Sequence, residues 1–160
     1  MMPDVRNGDH RGAVQDMGKI EWNSDLETGV DLMDDQHQSI VKIYNDLNAA
    51  LMKGKAHKMM AEILGALIEY TQTHFQDEEK MMEAAGYRDL NQHINEHQQL
   101  IMKLQRFKKK LDMDQERISK PVMKLLEFWL KHHIQGSDSD FAEWQKTNEA
   151  ASEAEEPAAV

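Results

Sequence analysis

The stretch RDLNQHINEHQQLIMKLQRFKKKL, residues 88–111, contains no proline or glycine and spaces its inward side chains alternately three and four residues apart. Leu90, His93, His97, Leu100, Leu104, Phe107 and Leu111 therefore share one stripe, the seam of a bundle helix running from about Arg88 to Leu111. Two members of that seam are imidazoles on a face that must be buried.

The same period extends outward in both directions. Before it, Met60, Ile63, Leu64, Leu67, Tyr70, His74, Glu78 and Met81 or Met82 mark a helix from about Ala56 to Ala85, which Gly86 ends. Earlier still, Ile40, Ile43, Tyr44, Leu47 and Leu51 mark a helix from about Asp35 to Lys53, with Asp34 as its expected N-cap and Gly54 as its stop. After it, Ser119 is the expected cap of a fourth helix that tolerates Pro121 in its first turn and carries Val122, Leu125, Leu126, Trp129, His133, Phe141 and Trp144. Four helices joined by short turns predict an all-α fold, an up-down-up-down antiparallel four-helix bundle. Three segments are expected: a flexible N-terminal arm over 1–19, the bundle over 20–146 and an acidic tail over 147–160.

Composition narrows the possible functions. The chain has 160 residues, the length of about one domain, with 40% hydrophobic and 30% charged residues. A net charge of −10 disfavours nucleic acid and anionic bilayers as partners. The absence of cysteine excludes disulfides, thiolate zinc sites, iron-sulfur clusters and cysteine nucleophiles, so a metal must be held by nitrogen and oxygen. No apolar run resembles a secretory signal or a membrane span, which makes the cytoplasm the expected compartment. The basic cluster Lys103, Arg106, Lys108, Lys109 and Lys110 complements the C-terminal dipole of its helix.

The bundle topology makes a statement about height. His37 lies about 16 residues before the end of the first helix, and His74 and Glu78 lie about 18 and 22 residues after the start of the second, levels that agree within a few turns. His97 lies about 14 residues before the end of the third helix, and His133 about 14 after the start of the fourth. All four helices thus present polar ligands in one layer. His74/Glu78 and His93/His97 are i, i+4 pairs, offset by about 40° around the axis and about 6 Å along it, so each pair converges on one point. Unpaired imidazoles and carboxylates in a core cost several kcal/mol each, roughly, and metal binding removes that objection.

On the fourth helix two carboxylates compete. Asp140, at i+7 from His133, returns to the same face but lies about 10.5 Å along the axis. Asp138, at i+5, lies about 7.5 Å away and about 140° off, a misalignment that a local π-bulge near Gly136 recovers. Asp138 is the expected ligand, with irregular backbone between Ile134 and Asp138. His10, His57 and His132 read as surface or satisfied core residues, and Met59, Met60, Met81, Met82, Met102 and Met123 as core and rim packing.

These residues resemble the hemerythrins, and more closely the bacterial single-domain hemerythrins. The resemblance is carried by Trp22 and Gly29 ahead of Asp34-Asp35-Gln36-His37, by His74-x-x-x-Glu78, by His93-x-x-x-His97, and by Trp129-Leu130-Lys131-His132-His133-Ile134 followed by Asp138, and spans roughly Ile20 to Trp144. It implies two iron ions (Fe2+/Fe3+) with an oxo or hydroxo bridge. His93, His97 and His133 would hold one iron and His37 and His74 the other, with Glu78 and Asp138 bridging both. The second iron would keep an open position and take O2 as ligand, with one electron drawn from each Fe(II) and release by the reverse steps. Leu130 matches the family's apolar side chain over the O2 site, and Trp129 and Ile134 would help exclude water. Phe141 stands where many relatives have tyrosine, which bears only on a hydroxyl contact.

Five neutral imidazoles and two carboxylates make a less electron-rich centre than carboxylate-dominated di-iron sites, which favours a carrier over an oxidase. The expected function is reversible O2 binding for storage or delivery by a monomer that is not an enzyme, with an O2-consuming acceptor protein as a possible partner. The alternatives are an O2 or redox sensor acting through a partner, and a di-iron enzyme reducing O2, peroxide or nitric oxide.

Overall fold

The computed structural model describes residues 18–155. The arm expected over 1–19 lies outside them as far as residue 17, as does His10. A 3-10 turn, Ser24–Leu26, precedes helices α1 (Asp31–Met52), α2 (His57–Ala85), α3 (Leu90–Asp112) and α4 (Lys120–His133). A π-helical turn, Ile134–Asp138, then leads into α5 (Ser139–Glu155). The fourth rod of the four-helix bundle is therefore α4, the π turn and α5 in continuity. No described helix is long and apolar enough to cross a membrane.

Helix boundaries follow local chemistry. Gly86 ends α2 with a φ of 70°, a left-handed conformation that glycine adopts without a Cβ clash, and the Tyr87 N–H closes on the Met82 carbonyl. Pro121 sits in the first turn of α4, where its missing N–H leaves no gap, while the Ser119 side chain makes no capping bond. The start of α1 differs from the sequence expectation. The N-cap is Val30, and Asp34 lies one turn inside the helix. Its carboxylate reaches back instead, accepting from Thr28 N and Oγ1 at 2.8 Å and from Gly29 N at 2.9 Å. An acid in the first turn can satisfy the entering loop and the orphan N–H groups while the helix itself starts earlier.

Two apolar clusters flank a polar layer. The larger contains Tyr44, Leu47, Leu64, Leu104 and Leu111, and the smaller contains Met33, Met82, Tyr87 and Phe141 at the opposite end of the bundle. Of the methionines, Met60, Met82 and Met123 are buried, whereas Met59 and Met102 are exposed at the rim. Tyr44 ties α1 to α4 by donating to the Met123 carbonyl, and Asn45 pins the entering strand of chain by exchanging two hydrogen bonds with Ile20. His57 bonds through Nε2 to the Leu111 carbonyl and braces the start of α2 against the end of α3. Beyond Thr147, α5 continues to Glu155, and its residues are exposed as far as Ser152.

Candidate metal centre

Between the two clusters, His37, His74, Glu78, His93, His97, His133 and Asp138 are all buried, the two carboxylates completely. Regular helix brings His74 and Glu78, and His93 and His97, to one face each by the i, i+4 spacing. His133 and Asp138 meet through the π turn, which takes one residue more than an α turn to cover the same arc. The irregular backbone falls over the expected residues, and His133 Nε2 lies 3.2 Å from Asp138 Oδ1. Asp140, the alternative carboxylate, is exposed.

Each carboxylate turns one oxygen to either side of the layer. Glu78 Oε1 lies 3.3 Å from His37 Nε2 and 3.0 Å from His74 Nε2. Its Oε2 lies 3.5 Å from His93 Nε2 and 3.3 Å from His97 Nε2. Asp138 repeats the pattern, with Oδ1 3.2 Å from both His93 and His133 Nε2 and Oδ2 3.1 Å from His37 Nε2. The donor atoms thus form two groups, Glu78, His93, His97, His133 and Asp138 on one side, and His37, His74 and Glu78 on the other.

Burial would by itself raise the Glu78 and Asp138 carboxyls, and for Asp138 the neighbouring Glu78 charge adds to that. The histidines outweigh both effects: His37, His74, His93 and His97 hold Glu78, and His133 and His37 hold Asp138, well below the usual carboxylate range. Conversely, burial lowers the His37 and His93 imidazoles, but bonds to Asp138 and Glu78 win and push both up to about 9. The carboxylates thus favour positive charge between them, as protons on His37 and His93 or as a divalent metal that would displace those protons.

The outward nitrogens fix the orientation of the rings. His97 Nδ1 lies 2.9 Å from Glu79 Oε1, His133 Nδ1 3.3 Å from Glu96 Oε2, and His74 Nδ1 2.7 Å from Gln36 Oε1. Glu96 is held ionised against its partial burial by the Ser137 hydroxyl, which donates to it at 2.6 Å, and by Gln92. An ionised carboxylate only accepts, so Nδ1 carries the proton and a neutral ring presents a bare Nε2 lone pair inward. Two inward nitrogens, His97 Nε2 and His133 Nε2, stand 3.0 Å apart, close enough to share one proton or to face one cation. His37 Nε2, His93 Nε2 and all four oxygens of Glu78 and Asp138 are buried without a good hydrogen-bond partner. Such a donor set fits a metal pair far better than a dry core.

Aromatic rings lock the layer. Phe75 stacks on His97 with centroids 3.6 Å apart and planes 3° from parallel, and Trp129 stacks on His133 at 4.4 Å and 14°. Leu130, Trp129 and Ile134 line a cavity of about 30 Å³ that borders His37, His74, His133 and Asp138. Its other walls include Leu67, Leu100, Leu104, Tyr44 and Thr71. Both hydroxyls in that wall are spent on backbone carbonyls, Tyr44 on Met123 and Thr71 on Leu67 at 2.7 Å, so the interior stays apolar. His132 is exposed and stacks on Phe128, away from the layer.

The sequence reading did not find Gln36, Glu79 and Glu96 as ring-orienting partners, nor Phe75, Tyr44 and Thr71 around the site. Each polar partner sits next in sequence to a layer residue but contacts a histidine on another helix. The periodicity of a single helix carries no such signal.

Comparison with known proteins agrees with this geometry. The Hemerythrin HHE cation binding domain matches residues 28–144. A bacteriohemerythrin of Pseudomonas aeruginosa is 32% identical over 127 residues, covering 79% of this chain and 82% of its own length. A myohemerythrin of Theromyzon tessulatum is 27% identical over 119 residues, 74% of this chain and 87% of its own. Among solved structures, wild-type hemerythrin superposes with a TM-score of 0.74 at 28% identity, covering 77% of this chain and 95% of the other.

Proposed function

This chain belongs to the hemerythrin family, and from that premise we propose that it binds O2 reversibly at a non-haem di-iron centre, as a cytoplasmic store or carrier of oxygen. His93, His97 and His133 would hold one iron and His37 and His74 the other, with Glu78 and Asp138 offering an oxygen to each side. When bound, the iron pair supplies the electrons that a dioxygen ligand takes up. The observation that carries this reading is the sharing of each carboxylate between two histidine groups, beside an apolar cavity of about 30 Å³. A space of that size admits roughly one or two water-sized molecules, and an apolar interior disfavours water over a small nonpolar gas.

The chain's own residues supply the selectivity. Leu130, Trp129 and Ile134 wall the two-histidine side and exclude water that would compete for an open metal position. Five imidazoles with only two carboxylates keep the donor set modest in negative charge, which favours release of intact O2 over its further reduction.

The test is iron quantitation with optical spectra of the reduced protein before and after aeration. Two irons per chain and a visible charge-transfer band that appears in air and vanishes under argon are expected. Steady O2 consumption with a reductant, or a protein that takes up no iron, overturns the reading.

A further inference from the structure

The two halves of the layer differ in what stands behind their histidines. On the three-histidine side, His97 Nδ1 meets Glu79 at 2.9 Å and His133 Nδ1 meets Glu96 at 3.3 Å. Glu96 is itself fixed by Ser137, a residue of the π turn. On the two-histidine side, His74 Nδ1 meets the neutral amide oxygen of Gln36 at 2.7 Å, and His37 Nδ1 is buried with no partner among the described residues. The nearest carboxylate there is one side chain further away, where the Gln36 amide donates to Asp77 at 2.9 Å. Behind the layer, two anionic partners thus face Nδ1 atoms on one side, and none meets an Nδ1 on the other.

An imidazole whose Nδ1–H is held by a carboxylate donates more electron density through Nε2 than one held by an amide. More negative donors favour the higher oxidation state of a metal. We propose that Glu79 and Glu96 are positioning residues that make the iron at His93, His97 and His133 the lower-potential member of the pair. On one-electron oxidation, the electron passing to an outer-sphere oxidant such as ferricyanide, Fe(III) forms at the three-histidine position. Fe(II) remains at His37 and His74, beside the apolar cavity. This inference rests on the di-iron reading above.

The test uses the iron-loaded full chain in an optically monitored redox titration, with Glu79→Gln, Glu96→Gln and Gln36→Glu. Glutamine keeps the acceptor oxygen and removes only the charge. Each Glu→Gln change, measured on protein loaded to two irons per chain, shifts the first oxidation equilibrium toward Fe(II) by about tenfold, which is about 59 mV for a one-electron couple. Gln36→Glu shifts the second oxidation toward Fe(III) and narrows the gap between the two steps. A second measurement needs no variant: in the zinc-loaded protein, the Nδ1–H proton resonance of His97, which is bonded to the Glu79 carboxylate, lies downfield of that of His74, which is bonded to the Gln36 amide. Two irons per chain with unmoved potentials in all three variants, or equal Nδ1–H positions, overturn the inference alone. A wild-type chain that takes up no iron overturns the di-iron reading and the inference together.

Discussion

The two carboxylates at the centre of the layer arrive by different routes. Glu78 follows His74 by four residues on α2, inside unbroken α-helix, and the pairing comes with the helical repeat. Asp138 follows His133 by five, and the backbone itself must widen into a π turn to bring the two together. The first route needs only the right residues at the right spacing, whereas the second also needs a locally altered hydrogen-bond pattern. Yet both deliver a fully buried carboxylate shared by histidines on both sides. The regular helix can therefore be predicted to tolerate isosteric change away from its ligands, while the π segment is sensitive to chain length.

The most disruptive way to break this comparison is to change that length. Inserting one alanine between Gly136 and Ser137 swings everything after it by about 100°. Asp138 leaves the layer, and Phe141, fully buried in the smaller cluster, is expelled at a cost of about 3–5 kcal/mol. Iron content is expected to fall to near none, with a large drop in melting temperature. Deleting Gly136 should do far less. It converts the i, i+5 spacing into the i, i+4 spacing of His74 and Glu78, and no side chain is lost from the core. Iron binding retained in the deletion and lost in the insertion would show that the π turn is an α turn with one residue added.

The next change tests the ligands and leaves the backbone alone. His133→Ala removes a buried donor from the three-histidine group and should lower metal affinity by about 10–100-fold or more. The neighbouring His132→Ala removes an exposed ring and should leave iron content unchanged. Equilibrium dialysis against a metal buffer separates the two. If His132→Ala were the damaging variant, the register of α4 would be wrong by one residue.

The boundary between what could be read in the sequence and what could not runs along the helix axis. Periods of three and four were enough to place the four rods, to level the seven donor residues and to require irregular backbone between Ile134 and Asp138, because each of these depends on distances within one helix. Contacts between helices were not visible. Glu79 and Glu96 stand next in sequence to Glu78 and His97, yet each serves a histidine on another helix. The walls of the cavity, among them Tyr44, Thr71 and Leu67, look like ordinary core positions until the rods are packed. Asp34 has the residue type that favours an N-cap. Its carboxylate satisfies the preceding loop, and α1 begins one turn earlier.

The metal-free protein offers a smaller effect that compares the two carboxylates as proton traps. His37 and His93 are raised from 6.5 to about 9 by Asp138 and Glu78 against the lowering effect of burial. A group whose pKa is higher folded than unfolded stabilises the fold below its unfolded value and loses that contribution as pH rises through its folded one. The chelated protein should therefore lose several degrees of melting temperature between pH 6.5 and pH 9, roughly the window that the two shifts define. Metal replaces those protons, so the loaded protein should show no such decline. Glu78→Gln and Asp138→Asn should each flatten the metal-free profile, since both carboxylates face His37 and His93.

The finest probe concerns how the π turn disposes of its own backbone. A π turn closes i+5 to i bonds in place of the α ladder, and the Ile134 carbonyl accepts the Ser139 N–H in such a bond. The Ser139 hydroxyl donates to the same carbonyl at 2.8 Å in a partly buried position. On α2 the comparable side-chain bond, from Thr73 Oγ1 to the Glu69 carbonyl, is longer at 3.3 Å and exposed. Ser139→Ala is therefore expected to cost about 1 kcal/mol, and Thr73→Ala a few tenths or less. Chemical denaturation of the metal-loaded protein resolves the difference. Equal costs would mean that the π turn does not depend on the added bond from the serine hydroxyl, and that the second route to a buried carboxylate is no more demanding than the first.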